Sequence, residues 1–268
     1  MDPQGKVALI TGGGSGIGRA TAVALANAGA SIVVADIDEE GGHQTVDTIK
    51  GGGGEAAFVK TDVTSRDDLE NMVAFTEKTF GGLDIAYNNA GVGTPQPRFP
   101  DARREDWERT LFIDLWAVAA GIQAEVPAMR DRGGGVIVST ASVAGLIGYM
   151  PDPIYAAAKH GVVGLTRSMT YLLSEANIRV NCICPGVVDT PMVHRVREEM
   201  DPKAREQIET MLSSMPMIAP ETIAEAVLEL IQNEEHNGVA MAVTYGRPPR
   251  LIDPPLRFRN DPAQARNS

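Results

Sequence analysis

The sequence predicts an α/β fold, a doubly wound parallel sheet of about seven strands with helices on both faces. Short apolar runs rich in β-branched residues alternate with longer helical segments, as in parallel sheets that are covered on both faces. The length of 268 residues and the hydrophobic content of 43% suit one large domain rather than two small ones. The predicted strands are 7–11, 31–37, 56–62, 83–89, 135–141, 179–184 and 239–245.

The first strand leads directly into a glycine-rich segment. Residues 11–18 read Thr-Gly-Gly-Gly-Ser-Gly-Ile-Gly, and a helical stretch from Arg19 to Ala28 follows. Glycines permit a tight turn and close approach of the backbone to a pyrophosphate, and the helix N-terminus offers free N–H groups to the phosphates. A glycine run can also be a flexible surface loop, as is expected for 51–54. The strand before the segment and the helix after it favour a Rossmann-type dinucleotide site.

The second predicted strand ends at Asp36, which bears on the choice of cofactor. A carboxylate at this point accepts hydrogen bonds from the adenosine ribose hydroxyls and repels a 2′-phosphate. Ser15 and Ile37 supply no compensating positive charge, and Arg19 lies beyond the last glycine, inside the helix. The sequence therefore predicts NAD rather than NADP.

Tyr155 and Lys159 are four residues apart on a predicted helix, so they lie on one face, one turn apart. A free tyrosine has a pKa of about 10, and a neighbouring cation lowers that pKa toward the range in which a general base works. Such pairs also arise by chance in many helices. The nucleotide motif at the start of the chain makes the catalytic interpretation the stronger one.

With these residues the chain resembles the short-chain dehydrogenase/reductase family over about residues 5–246. The motifs that carry the resemblance are the glycine segment Thr11 to Gly18, Asn88-Asn-Ala-Gly91, Ser142 with Tyr155 and Lys159, and Pro185-Gly186. Segments 155–168 and 179–186 further resemble the hydroxyprostaglandin dehydrogenase branch of that family.

The resemblance implies a role for each matching residue. Tyr155 exchanges the proton of the substrate oxygen, Ser142 hydrogen-bonds that oxygen, and Lys159 holds the nicotinamide ribose. Asp62 and Val63 are expected at the adenine, and Val188, Asp189 and Thr190 against the nicotinamide. The implied cofactor-binding residues are Gly12, Ser15, Gly16, Ile17, Gly18, Asp36, Ile37, Asp62, Val63, Asn89, Ala90, Gly91, Pro185, Gly186, Val188 and Thr190, together with Tyr155 and Lys159.

Two positions depart from the family pattern. The family usually has Asn in its long central helix, where it helps to hold a water near the catalytic Lys, and this chain has Asp114. We predict that Asp114 belongs to the catalytic group and alters its pH dependence. The hydroxyprostaglandin dehydrogenase branch has a substrate-contacting Gln where this chain has Asp152.

Composition argues against several classes of partner. The net charge of -11 argues against nucleic acid, whose phosphates it would repel. No uninterrupted apolar run is long enough for a membrane span, and no signal peptide precedes the first strand, so a cytoplasmic location is expected. Cys182 and Cys184 share one face of a strand and the four histidines show no ligand spacing, so reduced thiols and no metal site are expected.

We expect a single NAD-binding catalytic domain over residues 1–246, with a methionine-rich lid at 187–220 and an extended C-terminal tail at 247–268. The apolar stripe on the central helix, Trp107, Leu111, Leu115, Val118 and Ile122, packs on the sheet or, by the resemblance, takes part in a homodimer or homotetramer.

The predicted function is NAD-dependent interconversion of a secondary alcohol and a ketone, on an apolar small molecule such as a sterol, terpenoid or fatty-acid derivative. One alternative is an NADH-dependent reductase of 3-oxoacyl or related carbonyl compounds. A second is a non-catalytic nucleotide-binding scaffold.

Overall fold

The computed structural model describes residues 1–198 and 216–254, and within them eight strands form one sheet. The strands are β1 (Val7–Thr11), β2 (Ser31–Asp36), β3 (Ala56–Lys60), β4 (Ile85–Asn88), β5 (Gly135–Thr140), β6 (Ile178–Pro185), β7 (Ala240–Val243) and β8 (Arg250–Ile252). Their order is β3-β2-β1-β4-β5-β6-β7-β8.

The strands β1 to β7 pair in parallel, and β8 pairs antiparallel with β7. The predicted doubly wound parallel sheet is confirmed, but the predicted count of about seven is one strand short. The eighth strand lies in the segment that we expected to be an extended tail. Residues 255–268 of that segment, and residues 199–215 of the expected lid, lie outside the described residues.

The helices cover both faces of the sheet. They are α1 (Gly16–Asn27), α2 (Glu39–Gly51), α3 (Arg66–Phe80), α4 (Arg104–Leu111), α5 (Ala117–Asp131), α6 (Pro153–Ser168), α7 (Leu172–Ala176), α8 (Pro191–Glu198) and α9 (Pro220–Gln232). One apolar cluster joins α1, α2 and α9 to one face, and a second joins α3, α5 and α6 to the other. Neighbouring strand residues such as Ala8 and Leu9 alternate between the clusters, because successive side chains of a strand point to opposite faces.

The central helical run consists of α4, a π-helical turn (Phe112–Trp116) and α5. The run Arg104–Asp131 has a mean hydropathy of 1.3 over its most apolar window, long and apolar enough for a membrane span. Ile113, Val118 and Ile122 are nevertheless buried within the protein, as in a core helix. Leu115 packs so closely on α6 that a Cβ on Gly161 would lie 2.8 Å from it.

The sheet changes winding direction between β1 and β4, which are neighbours although they are not consecutive in sequence. Ligands of doubly wound proteins bind in the crevice at the carboxyl ends of the strands at such a point. The loops after β1, β4, β5 and β6 all border this crevice, so the fold places the predicted site residues at one edge.

Candidate active site

The glycine segment forms a narrow turn between β1 and α1. Gly12 has a φ of +64° and Gly16 a φ of +50°, values that side-chain-bearing residues adopt rarely. A Cβ on Gly12 would lie 2.9 Å from Cα of Ala90. The helix begins at Gly16, three residues earlier than predicted, and the side chain of Ser15 makes no capping hydrogen bond. This turn and the exposed N–H groups of α1 fit a pyrophosphate.

The loop after β4 is tied to the glycine segment. Thr11 Oγ1 accepts the backbone N–H groups of Asn89 and Ala90 at 3.0 and 3.2 Å. The Asn89 amide donates in turn to the carbonyl of Thr11 at 3.2 Å. Two of the predicted cofactor segments therefore form one rigid surface on the carboxyl edge of the sheet.

Asp36 ends β2 directly beside the glycine segment. Its Oδ2 accepts the N–H of Gly14 at 2.8 Å, and its Oδ1 accepts the N–H of Asp38 at 2.9 Å. A Cβ on Gly14 would lie 2.8 Å from that Oδ2 and 3.0 Å from the backbone nitrogen of Gly42, so glycine permits this close approach. Ile37, whose side chain is mostly exposed, adds no charge. The site thus presents a carboxylate where the adenosine ribose of a dinucleotide would bind.

Arg19 is not available as a phosphate ligand at this point. Its guanidinium donates to the carbonyl oxygens of Gly14 and Gly41 and to Thr45 Oγ1. These acceptors lie on the glycine segment and on α2, so Arg19 joins these two elements. A 2′-phosphate would therefore meet Asp36 without a free cation from this residue.

The third predicted cofactor segment follows β3. Asp62 Oδ1 accepts from the N–H and the hydroxyl of Thr64 at 2.9 and 2.7 Å, which shapes the turn into α3. Val63 lines a cleft together with Thr11 and Ala90. The apolar side chain of Val63 therefore faces the same crevice as the glycine segment, as an adenine site requires.

The loop after β6 closes the other side of the crevice. Val188 and Thr190 are buried, and the methyl carbon of Thr190 lies 3.0 Å from where a Cβ on Gly16 would be. Gly186 donates its N–H to the carbonyl of Val243 at 2.8 Å. Pro185, the last residue of β6, is therefore held in place by the edge of the sheet, and the loop reaches the start of α1.

The structure brings Ser142, Tyr155 and Lys159 together at the ends of β5 and α6. Ser142 Oγ accepts the N–H of Ala144 at 3.1 Å and lies 3.4 Å from the carbonyl of Pro185. Lys159 is buried, its Nζ donates to the carbonyl of Thr140 at 2.9 Å, and this Nζ lies 5.5 Å from the centre of the Tyr155 ring. The helical spacing has placed the phenol and the ammonium on one face, as predicted.

Asp114 lies beside this group, fully buried in the π-helical turn. Its Oδ1 accepts the N–H of Val92 at 2.8 Å and is 3.9 Å from Lys159 Nζ. Its Oδ2 is buried without a hydrogen-bond partner among the described residues. Burial raises the pKa of Asp114 to about 6, and Lys159 opposes that rise.

The electrostatics of Tyr155 differ from the sequence prediction. Burial raises the pKa of the Tyr155 phenol above its ordinary value, the Asp114 carboxylate raises it further, and hydrogen bonding with Ser142 lowers it. The pKa shift of Tyr155 is therefore opposite in direction to the lowering that we predicted from Lys159. Sequence spacing could show that the two side chains are neighbours, but not how deeply the phenol is buried.

Two partners of Lys159 and Tyr155 were not predicted from the sequence. The carbonyl of Thr140 holds Lys159, and a backbone acceptor leaves no signal in a sequence. Asp152 caps α6 by accepting the N–H of Tyr155 at 3.0 Å. An Asp directly before a Pro is a recognisable helix-start signal, so the capping role of Asp152 could have been predicted from the sequence. Within the described ranges no cluster of His, Cys, Asp and Glu is placed to hold a metal ion.

Comparisons with known proteins agree with this geometry. The sequence model described as short chain dehydrogenase matches residues 6–201. The chain is 44% identical over 193 residues to a cyclohexanol dehydrogenase of Acinetobacter sp., a match that covers 72% of this chain and 77% of that protein. It is 33% identical to the 15-hydroxyprostaglandin dehydrogenase of Mus musculus over 96% and 99% of the two chains.

A solved structure shows the same fold. It is a short-chain dehydrogenase/reductase from Burkholderia phymatum in complex with NAD, with a TM-score of 0.80 and 31% identity, covering 88% of this chain and 89% of that chain. Together these matches confirm the resemblance that the motifs indicated.

Proposed function

Because the chain belongs to the short-chain dehydrogenase family, we propose that it is an NAD-dependent oxidoreductase that interconverts a secondary alcohol and a ketone. The observation that carries the proposal is the convergence of Ser142, Tyr155 and Lys159 at the crevice bordered by the glycine segment. Asp36, held by two backbone N–H groups, favours NAD because its charge repels a 2′-phosphate.

The chemistry divides between the cofactor and the side chains. NAD, when bound, supplies the hydride acceptor at nicotinamide C4. During oxidation Tyr155, as phenolate, takes the hydroxyl proton of the substrate while the carbinol carbon loses its hydride, which yields the ketone. Ser142 hydrogen-bonds the substrate oxygen. The buried ammonium of Lys159, fixed by Thr140, favours the phenolate that this step requires.

Reduction of a carbonyl compound, the reverse reaction, has separate support. Burial and Asp114 hold the pKa of the Tyr155 phenol above its ordinary value, which favours the protonated form that donates to a carbonyl oxygen. An NADH-dependent reductase of 3-oxoacyl or related carbonyl compounds is therefore the second candidate function.

The surroundings of Tyr155 favour an apolar substrate. Ile147, Tyr149 and Met150 follow the Ser142 segment and expose much of their apolar surface, with Met150 81% exposed. The Tyr149 ring lies 6.5 Å from the Tyr155 ring in an edge-on arrangement. Met192 and Met217 belong to the proposed lid, whose residues 199–215 lie outside the described residues. The similarity to a cyclohexanol dehydrogenase adds cyclic secondary alcohols to the candidates.

A homodimer or homotetramer is the assembly that we propose. Phe112 is 49% exposed on the central helical run, and its ring lies 5.5 Å from that of Trp116. Neighbouring aromatic side chains on the exposed side of a helix are typical of a contact between subunits.

The test is a panel of cyclic, steroidal, terpenoid and acyl secondary alcohols and their ketones, followed by NADH absorbance. We expect turnover with NAD or NADH on apolar members and much weaker turnover with NADP or NADPH. Turnover of 3-oxoacyl compounds alone would favour the second candidate. Binding of NAD without turnover on any member would indicate a nucleotide-binding scaffold and contradict both.

A further inference from the structure

The carboxylate of Asp152 has two backbone partners on separate segments of the chain. Its Oδ1 accepts the N–H of Tyr155 at 3.0 Å, which caps α6. Its Oδ2 accepts the N–H of Thr94 at 2.8 Å, across 58 positions of sequence. Both oxygens are thus engaged by the protein, so Asp152 is poorly suited to hold a substrate itself.

The two segments that Asp152 joins are 92–100, after β4, and 146–152, before α6. A second contact joins them, because Arg98 Nη1 donates to the carbonyl of Met150 at 3.2 Å. Thr94 is further anchored by its hydroxyl, which donates to Thr110 Oγ1 on α4 at 3.1 Å. The end of 92–100 nearest Tyr155 is therefore fixed, while its far end contacts 146–152 through the exposed hydrogen bond of Arg98.

These segments meet beside Tyr155, because Asp152 joins the N–H groups of Thr94 and Tyr155 and the Tyr149 ring lies 6.5 Å from the Tyr155 ring. The first carries Phe99 and the second Ile147, Tyr149 and Met150, all with large exposed apolar surfaces. A substrate that reaches the phenol from this side passes between them. The distance between the two walls depends on the contacts from Asp152 and Arg98.

We propose that Asp152 is a positioning residue that ties the two walls of the substrate opening together and aligns them with the start of the catalytic helix. The inference rests on the proposed function, because it assumes that the substrate enters beside Tyr155. A hydrogen bond with a charged acceptor stabilises more than a neutral one, so the carboxylate suits this double contact. Asp152 thereby acts on the affinity for the substrate, in addition to the small rise that its charge causes in the pKa of Tyr155.

The variant Asp152→Ser separates the two contacts. Serine is a good helix cap, but its shorter side chain cannot also reach Thr94. We expect the amide hydrogen exchange of residues 92–98 to accelerate about tenfold, as loss of one charge-assisted hydrogen bond predicts. The exchange of 157–168 in α6 should stay unchanged. Ser65→Ala, which removes the side-chain cap of α3, is the matched control and should leave 92–98 unaffected.

Steady-state kinetics on an active panel member supply the second readout. The KM of Asp152→Ser should rise about tenfold, with little change in NAD affinity or in kcat when each protein is compared at its own pH optimum. Arg98→Met should raise KM less, and the double variant more than the product of the two single effects, because the two contacts hold the same opening.

The outcomes separate the inference from the proposed function. Unchanged amide hydrogen exchange at 92–98 in Asp152→Ser would overturn the proposed link between the two segments. A shifted pH profile with unchanged KM also overturns it, since the carboxylate would then act on Tyr155 by its charge alone. If Asp152→Ser does not fold, Arg98→Met is measured instead. Wild-type amide hydrogen exchange and wild-type KM in that variant would also overturn the proposal. An inactive wild-type protein refutes the proposed function alone, because the exchange comparison needs no turnover.

Discussion

The immediate surroundings of Tyr155 contain the carboxylates of Asp114 and Asp152 and the ammonium of Lys159. Asp114 and Asp152 both raise the pKa of Tyr155, after the larger effect of burial. Asp114 faces Lys159 at 3.9 Å, while Asp152 and Arg109 act on it from further away. A single side chain in the central helical run, Asp114, therefore raises the pH at which Tyr155 ionises.

Replacement of Asp114 by Asn should lower the pKa of Tyr155. The variant removes the negative charge and keeps an oxygen that can accept from Val92. The rising limb of kcat/KM for alcohol oxidation should move to lower pH by about one unit, with NAD affinity retained. Superimposable pH profiles of the two proteins would contradict this account of Asp114.

Asp36 should decide between the two nicotinamide cofactors. In the double variant Asp36→Ala with Ile37→Arg, repulsion is removed, a phosphate partner is added, and the N–H of Gly14 loses its acceptor. The ratio of kcat/KM for NADP over NAD should rise roughly 100-fold, the equivalent of one strong charge-assisted contact. Asp38→Ala, an exposed neighbour, is the control and should leave the ratio nearly unchanged. A wild-type preference for NADP would refute the role of Asp36.

At the scale of elements, one arginine on β6 holds the C-terminal end of α9. Arg179, on β6, donates to the carbonyl oxygens of Leu230, Ile231, Asn233 and His236 at 2.5 to 3.0 Å. The last carbonyls of a helix have no partner within it and carry a partial negative charge. One guanidinium therefore satisfies the end of α9 and fastens it to the sheet beside β7.

We expect Arg179→Met to destabilise the protein by about 3 kcal/mol, because buried carbonyl oxygens lose their partner. The free energy of unfolding of Arg179→Lys should lie between those of Arg179→Met and the wild type, since an ammonium cannot reach all the acceptors of the guanidinium. Urea unfolding gives the free energies, and the exposed Arg103→Met serves as control. Equal stability of Arg179→Met and wild type would show that solvent replaces the guanidinium.

At the scale of the whole molecule, the alternation of apolar runs was enough to predict the parallel sheet. Every predicted strand exists, and their ends agree to within two residues. β8 was missed because three residues carry too little pattern, and their pairing with β7 is set by the fold. The spacing of the sequence also predicted the glycine turn after β1 and the position of Asp36 at the end of β2. The contact between Asp152 and Thr94 was not predicted, because it joins segments that only the folded chain brings together.

The folded protein also buries a carboxylic acid outside the catalytic group. Glu125, on α5, accepts from the Asn88 amide at 3.0 Å, and burial raises its pKa from 4.5 to about 7. Because the folded state holds this proton more tightly, stability is fully present below pH 4.5 and declines as the pH rises through 7. The loss amounts to about 3 kcal/mol for a shift of this size.

Glu125→Gln should remove this part of the pH dependence, since the amide oxygen can still accept from Asn88. The variant should be more stable than the wild type at pH 8 and differ less at pH 5, as measured by urea unfolding. Glu70→Gln, an exposed carboxylate on α3, is the control. An identical decline in stability in wild type and Glu125→Gln would contradict the assignment.

The central claim is that Tyr155 exchanges the substrate proton in an NAD-dependent alcohol and ketone reaction. Tyr155→Phe removes the hydroxyl and keeps the ring against Tyr149 and Lys159. On the best panel substrate, kcat should fall at least about 100-fold, the lower end for loss of a general acid–base group. NAD affinity by calorimetry should stay within about threefold of the wild type. A Tyr155→Phe protein that retains most of its turnover while binding NAD normally would contradict the account.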